Sequence, residues 1–350
     1  MTNVALVLSG GGARAAYQVG AMRAIAELHS CQANPFNILA GVSAGAINCV
    51  ALATLAHDFS AGVRLLHETW MSLEPHLVYR TDAVTLGRLG ARWLKDATTG
   101  GLIGASHSNY LLDTQPLRDM LNKRLETARI PRHIADGTLR ALAISATNYA
   151  SGNIVTFFDG APALKPWSRH TRVAFREPIT VEHVMASAAI PIFFPPVHVN
   201  GRSYGDGGLR MTTPASPAIH LGADKLLAIG IRHKRGDEET LQLNEQTSDE
   251  SVSAAQISGV LLNALFLDSL DDDIARLLRV NRTLGFVPED ARSRNPDLLR
   301  RIPALLLSPS QDLGHLAANE YEKFPRVLRH LLRGIGATGE SGWDLMSYLA

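Results

Sequence analysis

The chain has 350 residues, 46% hydrophobic and 19% charged, which is the balance of a globular protein with apolar material for one large core or two modest ones. A formal net charge of +1 supplies no electrostatic reason to expect nucleic acid as a partner. Cys31 and Cys49 make neither a disulfide framework nor a metal-ligand spacing, and no run approaches the roughly 18 to 20 apolar residues needed to cross a bilayer. The first apolar run is too short for a signal segment, so a cytoplasmic protein is expected, and contact with a membrane surface is compatible with that.

In chain order, Val4 to Leu8 reads as a short buried strand, broken by Ser9-Gly10-Gly11-Gly12. A helical pattern runs from Ala13 to about His29. Phe36 to Ala40 predicts a second buried strand, Gly41 to Gly45 a turn, and Ala46 to Ala56 a helix. This repeated strand, glycine turn and helix is the alternation that builds a parallel sheet covered by helices. Residues 58–112 read as an insertion with irregular parts and one helix near Gly62 to Ser72. Gln115 to Leu125 predicts a helix, and Leu139 to Thr147 a buried strand with Ile154 to Phe158 as its hairpin partner.

A short helix from Glu182 to Ala189 must stop at Pro191. Val197 to Val199 and Arg202 to Tyr204 flank Asn200-Gly201, the signal of a tight hairpin. Lys225 to Ile231 predicts another central strand. Residues 234–250 are polar and read as a flexible connection. A long helix over Ala254 to Arg282, a strand at Ala304 to Leu307 and a helix at Asn319 to Leu332 follow, with a loosely held end from Gly334. The expected division is a catalytic domain over 4–235 and a mostly helical extension over 250–335 that covers the sheet edge without carrying chemistry.

Three segments carry chemical meaning. Gly41-Val42-Ser43-Ala44-Gly45 stands between a strand and a helix, where the flanking glycines leave room for a sharp turn and the serine hydroxyl projects at a helix N-terminus. That position suits a nucleophile, because exposed backbone N–H groups and the helix dipole favour developing negative charge. Ser9-Gly10-Gly11-Gly12-Ala13-Arg14 also joins strand to helix, and its glycines can turn N–H groups toward one point, as an oxyanion hole needs. Arg14 would fix that loop or add positive potential there; the alternative is an ordinary surface arginine. A dinucleotide site would demand an acidic residue ending the second strand, where Ala40-Gly41-Val42-Ser43 stands instead. The third segment is Asp206-Gly207-Gly208, whose two glycines let the backbone fold away from the carboxylate; alone, an Asp-Gly turn means little.

Together and in this order, Gly10 to Arg14, Gly41 to Gly45 and Asp206 to Gly208 resemble the patatin-like phospholipase family, over roughly residues 4 to 232. Ala186-Ser187-Ala188-Ala189-Ile190-Pro191, ahead of Phe194-Pro195-Pro196, looks like that family's segment before its catalytic aspartate. Ala15 departs from the glycine of many members, beyond the oxyanion glycines. The resemblance implies a three-layer α/β/α fold with a mainly parallel central sheet and the nucleophile elbow after the second strand. It further implies a Ser–Asp dyad of Ser43 and Asp206, an oxyanion hole formed by the loop, an acyl-enzyme, and a lipid or other acyl ester as substrate, with no cofactor expected. The sequence itself shows no His-x-x-x-His, no clustered Cys/His pattern and no calcium loop, so no metal is expected. The sequence leaves the particular ester and the oligomeric state open.

Two other readings compete. A Ser-His-Asp esterase would take Ser43, Asp206 and a later histidine such as His220 or His233, in the chain order of α/β-hydrolases, although that fold places more strands before its elbow. A lipid-binding protein with an idle hydrolase fold would keep the architecture alone. Residues near 75–112, and Trp167 to Phe175 with its interleaved arginines, are candidates for a lid or membrane-facing rim, with an ordinary packed loop the simpler expectation.

Overall fold

A computed structural model describes residues 2–28, 33–80, 110–245, 254–266, 269–288 and 299–318, with the single positions 82, 87, 91 and 252. Its centre is one sheet in the order β10-β9-β1-β2-β3-β4-β6-β5. The strands are β1 (Val4–Leu8), β2 (Ile38–Val42), β3 (Ala141–Asn148), β4 (Ile154–Gly160), β5 (Trp167–Arg169), β6 (Arg172–Arg176), β7 (Val197–Val199), β8 (Arg202–Asp206), β9 (Lys225–Ile229) and β10 (Ala304–Leu307). From β10 to β3 neighbouring pairs are parallel, whereas β4 returns antiparallel to β3. β8 pairs with both β3 and β7.

The strand sequences explain this arrangement. β1 and β2 are short and apolar throughout, and β3 is buried along its whole length, as strands covered on both faces must be. Alternate side chains divide between two cores. Leu6, Leu8, Leu39, Leu142 and Ile144 meet residues of helices α1 (Ala16–Leu28), α2 (Ala44–Thr54) and α3 (Phe59–Met71). The opposite face is built from smaller residues, Ala5, Val7, Ala40, Ala141 and Ala143, and is covered partly by Leu270 and Ile274. This is the layered, mainly parallel α/β architecture that the strand–helix alternation predicted. Among the described residues, no helix is long and apolar enough to cross a membrane.

Several boundaries differ from the sequence expectation for identifiable reasons. β2 ends at Val42, two residues later than expected, because Gly41 and Val42 remain in register with Leu8 on one side and Ser145 on the other. The helix after the serine begins at once, at Ala44. Residues expected to be a flexible connection include a helix at Asp237–Glu245, whose first turn carries Asp237, Glu238 and Glu239 against the positive end of the helix dipole. Over the long helix expected at Ala254 to Arg282, the described residues are helical at Ala254–Phe266 and Ser269–Gly285, with Asp271 and Asp272 in the first turn of the second stretch, and positions 267 and 268 lie outside the described residues.

The hairpin at Asn200-Gly201 forms as expected, with φ of 49° and 73° at the two turn residues. Of the two aromatics in Trp167 to Phe175, Trp167 stacks between Phe158 and His220, at 5.3 and 4.8 Å, whereas Phe175 stays exposed with the Arg202 guanidinium over its ring. Cys49 is fully buried in the apolar helix α2. The helix expected at Asn319 to Leu332, the end from Gly334, Cys31 and most of the insertion between 81 and 109 lie outside the described residues.

Candidate active site

β1 and β2 are parallel neighbours, so the turns that follow them share one edge of the sheet. At the second turn Ser43 adopts φ 55° and ψ −127°, an unusual conformation for a residue with a side chain, and it is only 2% exposed. The two glycines of the motif make this turn feasible by close packing. A Cβ at Gly41 would stand 2.5 Å from the Gly45 carbonyl oxygen, and one at Gly45 would stand 2.4 Å from that of Leu8. Helix α2 can therefore double back over both strands only with glycine at these places.

The loop after β1 comes directly against the elbow. A Cβ on Gly10 would lie 2.7 Å from the Ser43 Cβ. Gly11 and Gly12 have φ of 146° and 59°, so their backbone needs glycine's freedom. Ala13 follows in the short 3-10 turn Gly12–Ala15. Gly10→Ala is therefore expected to displace the Ser43 side chain and to reduce turnover about a hundredfold, since a shift near 1 Å at a reacting group costs on that order. Ester hydrolysis by folded variant protein, compared with wild type, measures this.

The carboxylate arrives from the other side. β8 ends at Asp206, which is completely buried. Its Oδ2 accepts a hydrogen bond from the Ser43 Oγ at 2.6 Å, and its Oδ1 accepts one from the Gly208 N–H at 2.8 Å. Burial penalises the charged form and pushes the Asp206 carboxyl up to about 7, while these two hydrogen bonds act in the opposite sense. Gly207 is required by contact: a Cβ there would lie 2.2 Å from the Ser145 carbonyl oxygen. Gly208 packs against Phe266, where a Cβ would lie 2.4 Å from the ring.

The structure thus brings the three glycine-bearing segments together around Ser43. The histidines of the competing triad stand elsewhere. His220 stacks on Trp167, and His233 bonds the Pro309 carbonyl through Nδ1 at 3.1 Å. Both carboxylate oxygens of Asp206 are engaged by Ser43 and Gly208, with Ser43 bonded directly.

Sequence reasoning missed several contributors. Arg14 is buried, not a surface residue, and its Nη1 donates to the Asn263 Oδ1 at 3.2 Å. With Phe266 against Gly208, this places helix Ala254–Phe266 over two of the three site loops, contrary to the expectation that residues 254–335 only cover the sheet edge. Ser187 lies in the Ala186 to Pro191 segment, where the sequence alone gives it no chemical role. Its Oγ accepts the Ser43 backbone N–H at 2.8 Å and donates to the Ser145 carbonyl at 2.7 Å. Tyr149 sits with its hydroxyl over Gly205, one residue before the aspartate.

A hydroxyl that donates to a buried carboxylate of elevated pKa, beside a loop of glycine N–H groups, is an arrangement suited to acyl transfer. The family model described as patatin-like phospholipase matches residues 6–219. The chain belongs to the patatin-like phospholipase family. Membership places it among ester-hydrolysing serine hydrolases, and β9 and then β10 extend the sheet of this patatin-like family member past β1, beyond the matched span.

No curated protein matches the sequence at a significant level. Among solved structures it is similar to VipD from Legionella pneumophila, with 12% identity, 100% of this chain and 67% of that one covered, and a TM-score of 0.39. The human GIVD cytosolic phospholipase A2 in complex with methyl gamma-linolenyl fluorophosphonate gives 12% identity, 99% and 56% coverage, and 0.37. ExoU of Pseudomonas aeruginosa in complex with SpcU gives 16%, 95% and 60%, and 0.33. The chain therefore spans a little over half to two thirds of these three structures' lengths.

Proposed function

We propose that this protein is a lipid acyl hydrolase acting through a Ser43–Asp206 dyad and an acyl-enzyme. The observation that carries the reading is the 2.6 Å contact between the Ser43 hydroxyl and a fully buried carboxylate. In the first half-reaction the Ser43 Oγ attacks the ester carbonyl carbon as its proton passes to Asp206 Oδ2. Backbone N–H groups of the Gly10 to Arg14 loop donate to the developing oxyanion. The intermediate collapses, the proton on Asp206 goes to the departing alkoxide, and the acyl group stays on Ser43. Water then gives its proton to Asp206 as it attacks the acyl carbon, and the fatty acid leaves with Ser43 restored.

A base working near neutral pH is most effective with a pKa close to that pH, and burial raises Asp206 into that range. The substrate class rests on family membership, and contact with a lipid surface follows from it as part of the same proposal. The test is a panel of acyl esters of graded chain length beside phospholipid vesicles, with Ser43→Ala as the blank. Activity on none of them, from folded protein, would remove the reading. In the same assays His220→Ala and His233→Ala are expected to keep most of the activity; a severe loss at either would restore the triad.

A further inference from the structure

The dyad depends on two backbones, separated by 163 residues, being held at one distance. The segment Ser187 to Ala189 touches both. Ser187, with no exposed surface, closes the helix Val181–Ser187. Its hydroxyl takes the Ser43 N–H and gives its own proton to the Ser145 carbonyl on β3, the strand paired with β2 at Val42. Two residues on, the Ala189 carbonyl accepts the Asp206 N–H at 2.8 Å. β3 completes the frame, because the Thr147 hydroxyl donates to the Asp206 carbonyl at 2.8 Å.

The geometry points to Ser187 as a positioning residue of the catalytic dyad: its hydroxyl, bridging the Ser43 N–H to the Ser145 carbonyl, is the nucleophile's half of a clamp whose other half is the Ala189 carbonyl on the Asp206 N–H. This inference rests on the dyad reading above. Its physical basis is the Ser43 backbone, which lies in a sparsely populated region and persists only where neighbours hold it. Ser187 is the hydrogen-bond partner of the Ser43 N–H. With that N–H engaged, the Ser43 backbone N–H does not serve as an oxyanion donor. A side chain at 187 therefore controls the approach of Ser43 Oγ to Asp206 without touching substrate.

The test uses the full chain with Ser187→Ala and Ser187→Cys. Ser187→Ala is expected to lower kcat about 10- to 100-fold through misplacement of the nucleophile, and to slow fluorophosphonate labelling of Ser43 in parallel. KM should stay near wild type, because no substrate contact is lost. The Ser43 hydrogen bond lowers the Asp206 pKa, so loosening it should move the acidic limb of the kcat/KM profile to higher pH. Ser187→Cys, similar in size and able to accept and donate weakly, should recover part of the rate; it also serves if the alanine variant does not fold.

Wild-type kcat and labelling rate in folded Ser187→Ala, or in Ser187→Cys where the alanine variant does not fold, would overturn the clamp. So would a loss explained by less folded protein, with the acidic limb unmoved and cysteine no better than alanine. If the wild type itself neither hydrolyses esters nor labels at Ser43, the dyad reading falls and takes the clamp with it, which separates the two failures.

Discussion

Ser43→Ala is expected to reduce ester hydrolysis to background, a loss on the order of 10⁴- to 10⁶-fold, while leaving the fold intact. Alanine removes only Oγ. The backbone N–H that bonds Ser187 stays, and Cβ remains, so the unusual φ of 55° is as hard or as easy to hold as before. The cost falls on Asp206, which loses the hydrogen bond from Ser43 and keeps only the Gly208 N–H. A fluorophosphonate probe should label wild type at Ser43 and leave the variant unlabelled. Labelling of another serine in both proteins, with Ser43 untouched, would remove the nucleophile assignment.

How much of this site was legible in the sequence depends on whether its chemistry is local. Gly41 to Gly45 and Gly10 to Gly12 announce themselves because each glycine answers a demand of its own turn, visible as a motif between apolar runs. Asn200-Gly201 was legible for the same reason. Asp206 was not legible alone, since an Asp-Gly turn is common, and became meaningful only beside the other two segments. Ser187 shows the limit. Its partners are main-chain groups 144 and 42 residues away, and no spacing rule connects them.

The contact from Arg14 to Asn263 spans 249 residues and decides that Arg14 is buried; its local setting, the first turn of a helix, suggested the surface equally well. The fold divides in the same way. Strand and helix existence followed from apolar runs and periodicity. The late end of β2 followed from its pairing with β1 and β3, which only the assembled sheet supplies.

Asp206→Asn tests the buried carboxylate by two opposite effects, one on activity and one on stability. Activity is expected to fall nearly as far as in Ser43→Ala, because the amide cannot accept the serine proton and members of a catalytic unit do not lose activity additively. Stability should move the other way. For wild type, the carboxyl is raised from 3.8 to about 7 by burial, so the folded state holds a proton that the unfolded chain releases. That contribution favours the fold below pH 4 and is lost progressively as pH rises from about 4 through about 7, after which it is constant. A difference near 3 units corresponds to roughly 4 kcal/mol at most, as an order of magnitude. Asparagine carries no charge at any of these pH values, so it escapes this loss. Its Oδ1 can still accept from Gly208, and its amide can donate to Ser43 Oγ. The variant's Tm advantage over wild type should therefore grow between pH 4 and 7 and level off above. Wild-type activity should rise through about pH 7, where the folded-state Asp206 ionises, and level off above it. An inactive variant whose Tm advantage does not change with pH would mean that Asp206 is not the elevated base; full activity in it would end the dyad.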